Sequence, residues 1–281
     1  MNIQVDWLTV GRNLGFLAIS LVLMVAAKLI ADLLTRYDDD EEIRERENGA
    51  LSLRRAGMYL GLSIGLGGAL LHSRGGYTFA EEMMTFGLAG GLLVVILLVA
   101  QVLNEAVMLR GLKTHEAIRT NNPAVGAVEF GQFVATGVIA AGALSGEGSL
   151  WSSILFMAFG QVGLLLAFGL YARLVHWNVK EEIGGGNLAA GVLVGGRLMA
   201  LGVIVAGSIS GDNTTLSNDL LWCSIYYVYG LVLLSIVSWI ADLVFLPKVR
   251  IDEMIAKRNV AAIGVISAIS VAASVIVWAI S

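Results

Sequence analysis

The sequence predicts an all-α membrane protein with eight transmembrane helices, arranged as four parallel helical-hairpin repeats. Three observations carry that expectation. First, 57% of the 281 residues are hydrophobic and only 14% are charged, with a mean hydropathy of +0.80. Soluble domains run at roughly 25% charged, so most of this surface must meet something other than water. Second, eight apolar runs reach the ~20 residues that a hydrocarbon core requires. Third, one motif occurs four times: Glu, five residues, Asn, one residue, Ala, then an apolar run.

The runs are 11–35, 52–72, 82–109, 123–145, 151–175, 188–209, 217–245 and 260–280. The longer ones leave room for tilt. Only Pro123 and Pro247 occur as prolines, so little interrupts a helix. The 34 glycines would weaken soluble helices but suit membrane helices, where small residues let backbones approach. Stripes at four-residue spacing mark Gly57, Gly61 and Gly65, Gly87 and Gly91, and Gly191 and Gly195. Helix packing explains such stripes, with a glycine-lined pore as the lesser alternative. The segment before the first run carries Asp6 and no Lys or Arg. It lacks the basic start of a cleavable signal peptide, so the first run is expected to be retained.

The motif copies are Glu42 to Asn48-Gly49-Ala50, Glu116 to Asn122-Pro123-Ala124, Glu181 to Asn187-Leu188-Ala189 and Glu253 to Asn259-Val260-Ala261. Their asparagines are 74, 65 and 72 residues apart, a loose repeat. Ile118, Ile183 and Ile255 stand two residues after the Glu, whereas the first copy has Arg44 there and Ile43 one place early. Each repeat reads long helix, polar connector with the motif, second helix. Ile30-Ala31-Asp32-Leu33 recurs as Ile240-Ala241-Asp242-Leu243, which suggests two pseudo-symmetric halves.

The motif connectors hold twelve of the 18 Lys and Arg residues, while the connectors between them hold Arg74 alone. The positive-inside bias therefore puts the motif connectors in the cytosol and both termini outside. Four hairpins entering from one side are parallel repeats, unlike the inverted pairs of rocking transporters. They suit a pseudo-symmetric ring or two halves.

Asn48, Asn122, Asn187 and Asn259 each precede an apolar helix and can cap it, with Pro123 then in the favoured first position. The connector around Glu116 reads as a short surface helix with Ile118 dipping into the interface. Glu42, Glu116, Glu181 and Glu253 are then either solvated surface carboxylates or a ring that recruits cations. The intramembrane polar set is Lys28, Asp32, Arg55, Glu105, Glu129, Gln132, Arg197 and Asp242, with Asn104 beside Glu105. Arg55 and Glu129 each lie seven residues past their Asn, about 10 Å into the helix. Charge at that depth is expensive and marks function by default, although buried pairs can also simply fix helix register. Arg55 with Glu129 and Arg197 with Asp242 are the candidate pairs, and Asp32 and Glu105 lie shallow enough to snorkel.

No enzyme is expected, because no phosphate-binding loop, nucleophile elbow or zinc-type His-Glu-x-x-His occurs. His72, His115 and His176 are scattered, so no catalytic residue, metal site or cofactor is assigned. Cys223 is alone, which excludes an internal disulfide. No basic patch points to nucleic acid, and the net charge of −4 names no partner.

The fourfold Glu-x-Ile-x-x-x-Asn-x-Ala connector between a long apolar helix and a Gly/Ala-rich one resembles a bacterial inner-membrane family. It is the family typified by YjfL, domain of unknown function 350 and UPF0719-like, and the resemblance implies two such four-helix units in tandem, 1–146 and 147–281. Glu253-Met-Ile-Ala-Lys-Arg-Asn259-Val-Ala-Ala262 is the closest copy and 42–50 the most degenerate. The resemblance implies a polytopic inner-membrane protein of unknown function. It also implies gene neighbours of the glutathionylspermidine-synthase-like and phage-shock types, with no functional residue to carry over. Two functions stay open: a channel or transporter for a cation or polyamine, lined by Asp32, Glu105, Glu129 and Asp242, and a membrane anchor or scaffold for a cytosolic envelope-stress partner. Membrane lipid is the implied surroundings, and homo-oligomers are admitted.

Overall fold

The computed structural model describes residues 6–35, 37–71, 78–146, 149–210, 215–245 and 250–280, the side chains of 241–245 excepted. Among these the chain is helical, with no strand. Eight long helices are α1 (Trp7–Leu34), α3 (Gly49–Leu71), α4 (Phe79–Val107), α6 (Pro123–Ser145), α7 (Leu150–Leu174), α9 (Leu188–Ile209), α10 (Leu216–Phe245) and α12 (Val260–Ile280). Four short helices lie in the motif connectors: α2 (Asp39–Arg44), α5 (Thr114–Arg119), α8 (Val179–Gly184) and α11 (Ile251–Ala256). Seven of the long helices are apolar enough to cross a membrane, and this is an all-α membrane protein. The eighth, α3, has similar length but carries Arg54 and Arg55 in its second turn.

The second helices of the repeats form the spine. α3, α6, α9 and α12 pack side by side in that order, and these are the most extensive helix contacts in the molecule. Small residues make the row possible. A Cβ on Gly57 would stand 2.6 Å from Phe130 Cα, one on Gly126 2.6 Å from Ala50 O, and one on Gly202 2.8 Å from Ala135 Cα. At such separations one backbone lies on the next. Of the expected glycine stripes, Gly57, Gly61, Gly191 and Gly195 pack in this row, whereas Gly87 and Gly91 face open space.

α1, α4, α7 and α10 lie against the spine and touch it less. Their outer faces are apolar and exposed, as at Leu14, Leu21, Val25, Leu88, Val95, Leu166, Val232 and Trp239, a surface for lipid. The long helices thus do not pair chiefly within their own hairpins: α3 packs more on α6 than on α1, and α1 more on α4 than on α3. The α6–α9 contact crosses the boundary between the two expected units and is nearly as extensive as α3–α6. The repeats form a row, with the outer faces of α3 and α12 uncovered.

Candidate functional site

The motif builds a repeated joint. In each copy the short helix ends on a residue of left-handed backbone: Glu47 (φ 51°), Asn121 (φ 58°), Gly186 (φ 75°) and Arg258 (φ 53°). The next N–H, that of the motif Asn, turns back to a carbonyl of the short helix: Glu42, Ala117, Glu182 and Met254. In the last three copies, where the bond reaches five residues back, this is the Schellman closure of a helix C-terminus; in the first copy it reaches six. It fixes the spacing between short helix and Asn, and only the third copy uses glycine for it.

The Asn then starts the long helix. Its Oδ1 accepts from Leu51 N at 2.9 Å, Ala124 N at 3.0 Å, Ala189 N at 3.1 Å and Ala262 N at 3.1 Å in the four copies. Sequence reasoning missed its second role. Asn48 Nδ2 donates to Ile118 O of the next repeat at 2.9 Å, Asn122 Nδ2 to Ile183 O at 3.0 Å, and Asn187 Nδ2 to Ile255 O at 2.8 Å. The Asn is therefore both cap and clasp between repeats. Ile118, Ile183 and Ile255 are buried in the protein core, and do not dip into a lipid interface, because the second long helix of the preceding repeat packs over them.

The motif carboxylates are not alike. Glu42 is buried, pairs with Arg46 at 2.8 Å and accepts from Asn48 Nδ2 at 3.4 Å. Glu116, Glu181 and Glu253 are exposed. Glu116 faces Lys113 at 3.4 Å, Glu181 accepts from Asn178 Nδ2 at 3.2 Å, and Glu253 faces Lys257 at 3.8 Å. Their repeats stand in a row, so the expected ring does not form.

The buried charge gathers at the motif end of the first unit. Arg55 Nη2 reaches Asp32 Oδ1 at 2.7 Å and also Asp39. Lys28 Nζ bridges Asp32 and Asp40, each at 3.1 Å. Arg54 points the other way, with Nε 3.2 Å from Glu129 Oε2 and Nη2 3.8 Å from Glu105 Oε1. Gln101 Nε2 donates to Glu105 at 2.7 Å. The expected Arg55–Glu129 pair is thus corrected: Glu129 pairs with Arg54, and Arg55 faces α1. Adjacent residues on a helix diverge by about 100°, so the neighbour serves the opposite side.

From there polar groups continue into the membrane. Gln161 Nε2 donates to Asn104 Oδ1 at 2.7 Å, and Thr136 Oγ1 donates to Gln161 Oε1 at 3.2 Å. Glu129 is completely buried, and its Oε1 and Gln132 Nε2 have no hydrogen-bond partner among the described residues. Arg54, Asp39 and Gln161 were absent from the sequence-derived set. The Arg54-Arg55 doublet inside an apolar run was the available signal.

The second unit lacks the arginine doublet. The places of Arg54 and Arg55 are taken by Leu193 and Val194 in α9, and by Val265 and Ile266 in α12. Arg197 stands with Nη1 3.4 Å from Ser238 Oγ and beside the Tyr171 phenol. The Asp242 side chain, expected to pair with it, lies outside the described residues. At the far end from the motifs a second ion pair joins Arg12 Nε to the buried Glu82 at 3.1 Å. Arg12 and Glu82 border a cleft of about 580 Å³ with Asn13 and Ser20. No cluster of His, Cys, Asp and Glu suited to a metal occurs among the described residues.

A UPF0719 transmembrane protein of Aquifex aeolicus (strain VF5) is 26% identical over 273 residues, covering 95% of this chain and 98% of its own length. No solved structure matches the chain. The family model described as Domain of Unknown Function (DUF350) matches twice, over residues 6–144 and 147–280. With nearly the whole chain accounted for by two successive matches, the protein belongs to the DUF350 family and carries that domain in tandem.

Proposed function

We propose that this multi-pass membrane protein moves a cation across a bacterial inner membrane, through the polar core of its first unit. All eight long helices cross, with the motif connectors cytosolic and both termini periplasmic. α3 is the eighth crossing, because its two arginines are neutralised by neighbours and do not meet lipid. One observation carries the reading: among the described residues of the charge cluster, three cations, Lys28, Arg54 and Arg55, face four largely shielded carboxylates, Asp32, Asp39, Glu105 and Glu129, with Asp40 at its exposed edge. An unbalanced charge in a low-dielectric interior costs several kcal/mol, so the cluster favours one more cation or proton. The polar chain through Asn104, Gln161 and Thr136 leads onward along α6, with Thr136 about 20 Å of helix from Asn122 at 1.5 Å per residue.

The test is flux in proteoliposomes with potassium, sodium and spermidine in turn. Saturable flux that falls in Glu129→Gln supports the reading. No flux of any of the three from folded protein, or flux indifferent to Glu129→Gln, refutes it. Orientation is checked separately by labelling His115→Cys with an impermeant maleimide, which should react only after the membrane is opened.

A second reading rests on the exposed carboxylates Glu116, Glu181 and Glu253, strung along one end of the row. They suit docking of a basic cytosolic partner. Charge reversal at Glu116 and Glu253 would then release a partner that co-purifies with the wild-type chain.

A further inference from the structure

Every inner helix of the spine uses two faces, and they sit at the same places in each repeat. Counting from the motif Asn, the backward face includes the eighth residue: Phe130 in α6, Gly195 in α9 and Ser267 in α12 each meet the preceding helix. The forward face includes the ninth: Gly57 in α3, Gly131 in α6 and Gly196 in α9 each meet the following one. The interface is therefore head to tail, and it is made three times in one chain.

It is also left open at both ends. In α12 the forward positions two, nine, thirteen and twenty after Asn259 are Ala261, Ala268, Ala272 and Ala279, and all four are exposed. Their counterparts in α6 are Ala124, Gly131, Ala135 and Gly142, all buried. In α3 the backward positions include Ala56 and Ser63, both exposed, and Gly67, whose missing Cβ would meet open space. A flat alanine face gains little from lipid, but it admits another helix at close range.

The clasp is open at the same end. Asn48, Asn122 and Asn187 each donate to the next repeat, whereas Asn259 is exposed and among the described residues its Nδ2 reaches only Met254 Sδ at 3.6 Å. A fifth repeat would supply the missing carbonyl. The first repeat of another copy offers one at Arg44, the residue in the place of Ile118.

We propose that the occupant is a second copy of this chain: α12 of one copy packs its alanine face on the backward face of α3 of the next, and Asn259 clasps the carbonyl of Arg44. The contact is heterologous, so it propagates into a closed ring or a longer row. It is independent of the transport reading.

Disulfide trapping tests it in membranes, in a Cys223→Ser background. The ninth forward and eighth backward positions touch within the chain, so Ala268→Cys together with Ala56→Cys should link copy to copy. A ladder of covalent multimers is expected on oxidation of the double variant, with each single variant remaining monomeric. A double variant that stays monomeric overturns the proposal, provided Val192→Cys with Ser267→Cys links inside the chain under the same oxidant. A covalent dimer from Ala268→Cys alone also overturns it, because that contact would be isologous. The second measurement is the mass of Ala268→Trp in lipid nanodiscs. It should fall to that of one copy with unchanged thermal stability in detergent; an unchanged oligomer, or loss of the fold, contradicts an open face on α12.

Discussion

Replacing Asn187 by alanine separates the two jobs of the motif asparagine. Asn187 is fully buried. Its Oδ1 caps α9 through Ala189 N at 3.1 Å and Ala190 N at 3.4 Å. Its Nδ2 donates to Ile255 O at 2.8 Å and to Glu182 Oε2 at 2.7 Å. Loss of a cap costs about 1 kcal/mol. Interhelical hydrogen bonds in membrane proteins contribute about 0.6 kcal/mol on average and up to about 1.7. Two of them with the cap bring the expected loss to about 2–3 kcal/mol. Asn259→Ala is the matched control: it removes a cap from Ala262 N at 3.1 Å, in an exposed setting, and no clasp to another repeat among the described residues. Its expected loss is about 1 kcal/mol or less. The assay is reversible unfolding by SDS titration from mild detergent, with the protein dilute enough to be monomeric, followed by tryptophan fluorescence. The reasoning predicts a gap of about 1–2 kcal/mol between the two variants. Equal losses would show that the clasp contributes nothing and that the motif is a cap alone.

Further expectations follow from the same structure. Arg54→Ala should cost about 3–5 kcal/mol, because it strands Glu129 without its cation; the double variant Arg54→Gln with Glu129→Gln should recover more than half of that in the same titration. Gly126→Val should cost at least about 1–3 kcal/mol by forcing α6 off the Ala50 backbone, whereas Gly91→Ala, with open space at its Cβ, should be neutral or slightly stabilising. Arg258→Gly should raise stability by about 0.5–1 kcal/mol, since φ 53° penalises any side chain there; a loss would mean that the Arg258 side chain contributes more than its backbone strain.

The charge cluster also bears on the doubled domain. Two copies of one family domain share a row of helices, yet only the first holds the doublet Arg54-Arg55 with its carboxylates. In the second the same places are apolar. The packing faces carry small residues in both units, because close backbone approach demands them, whereas Leu193 and Val194, in the places of the doublet, are buried in the apolar core. The two units are therefore alike as scaffold and unlike in chemistry.

Composition alone determined that this protein lies in a membrane, because 14% charge cannot cover a soluble surface. The long apolar runs set its helices, and Asn before an apolar run set where four of them begin, since capping is local chemistry readable from adjacent residues. Tertiary structure decided what those helices touch. Pattern does not fix the rotation of a helix that is apolar all round, so the choice of Arg54 rather than Arg55 for Glu129 could not be read from spacing. Nor could the second bond of Asn48, Asn122 and Asn187, whose acceptors lie 61 to 70 residues along the chain, or the burial of Ile118, Ile183 and Ile255 against the preceding repeat. A row rather than a ring followed from where glycine and alanine fall on two faces of each second helix, and those faces acquire meaning only when the helices stand side by side.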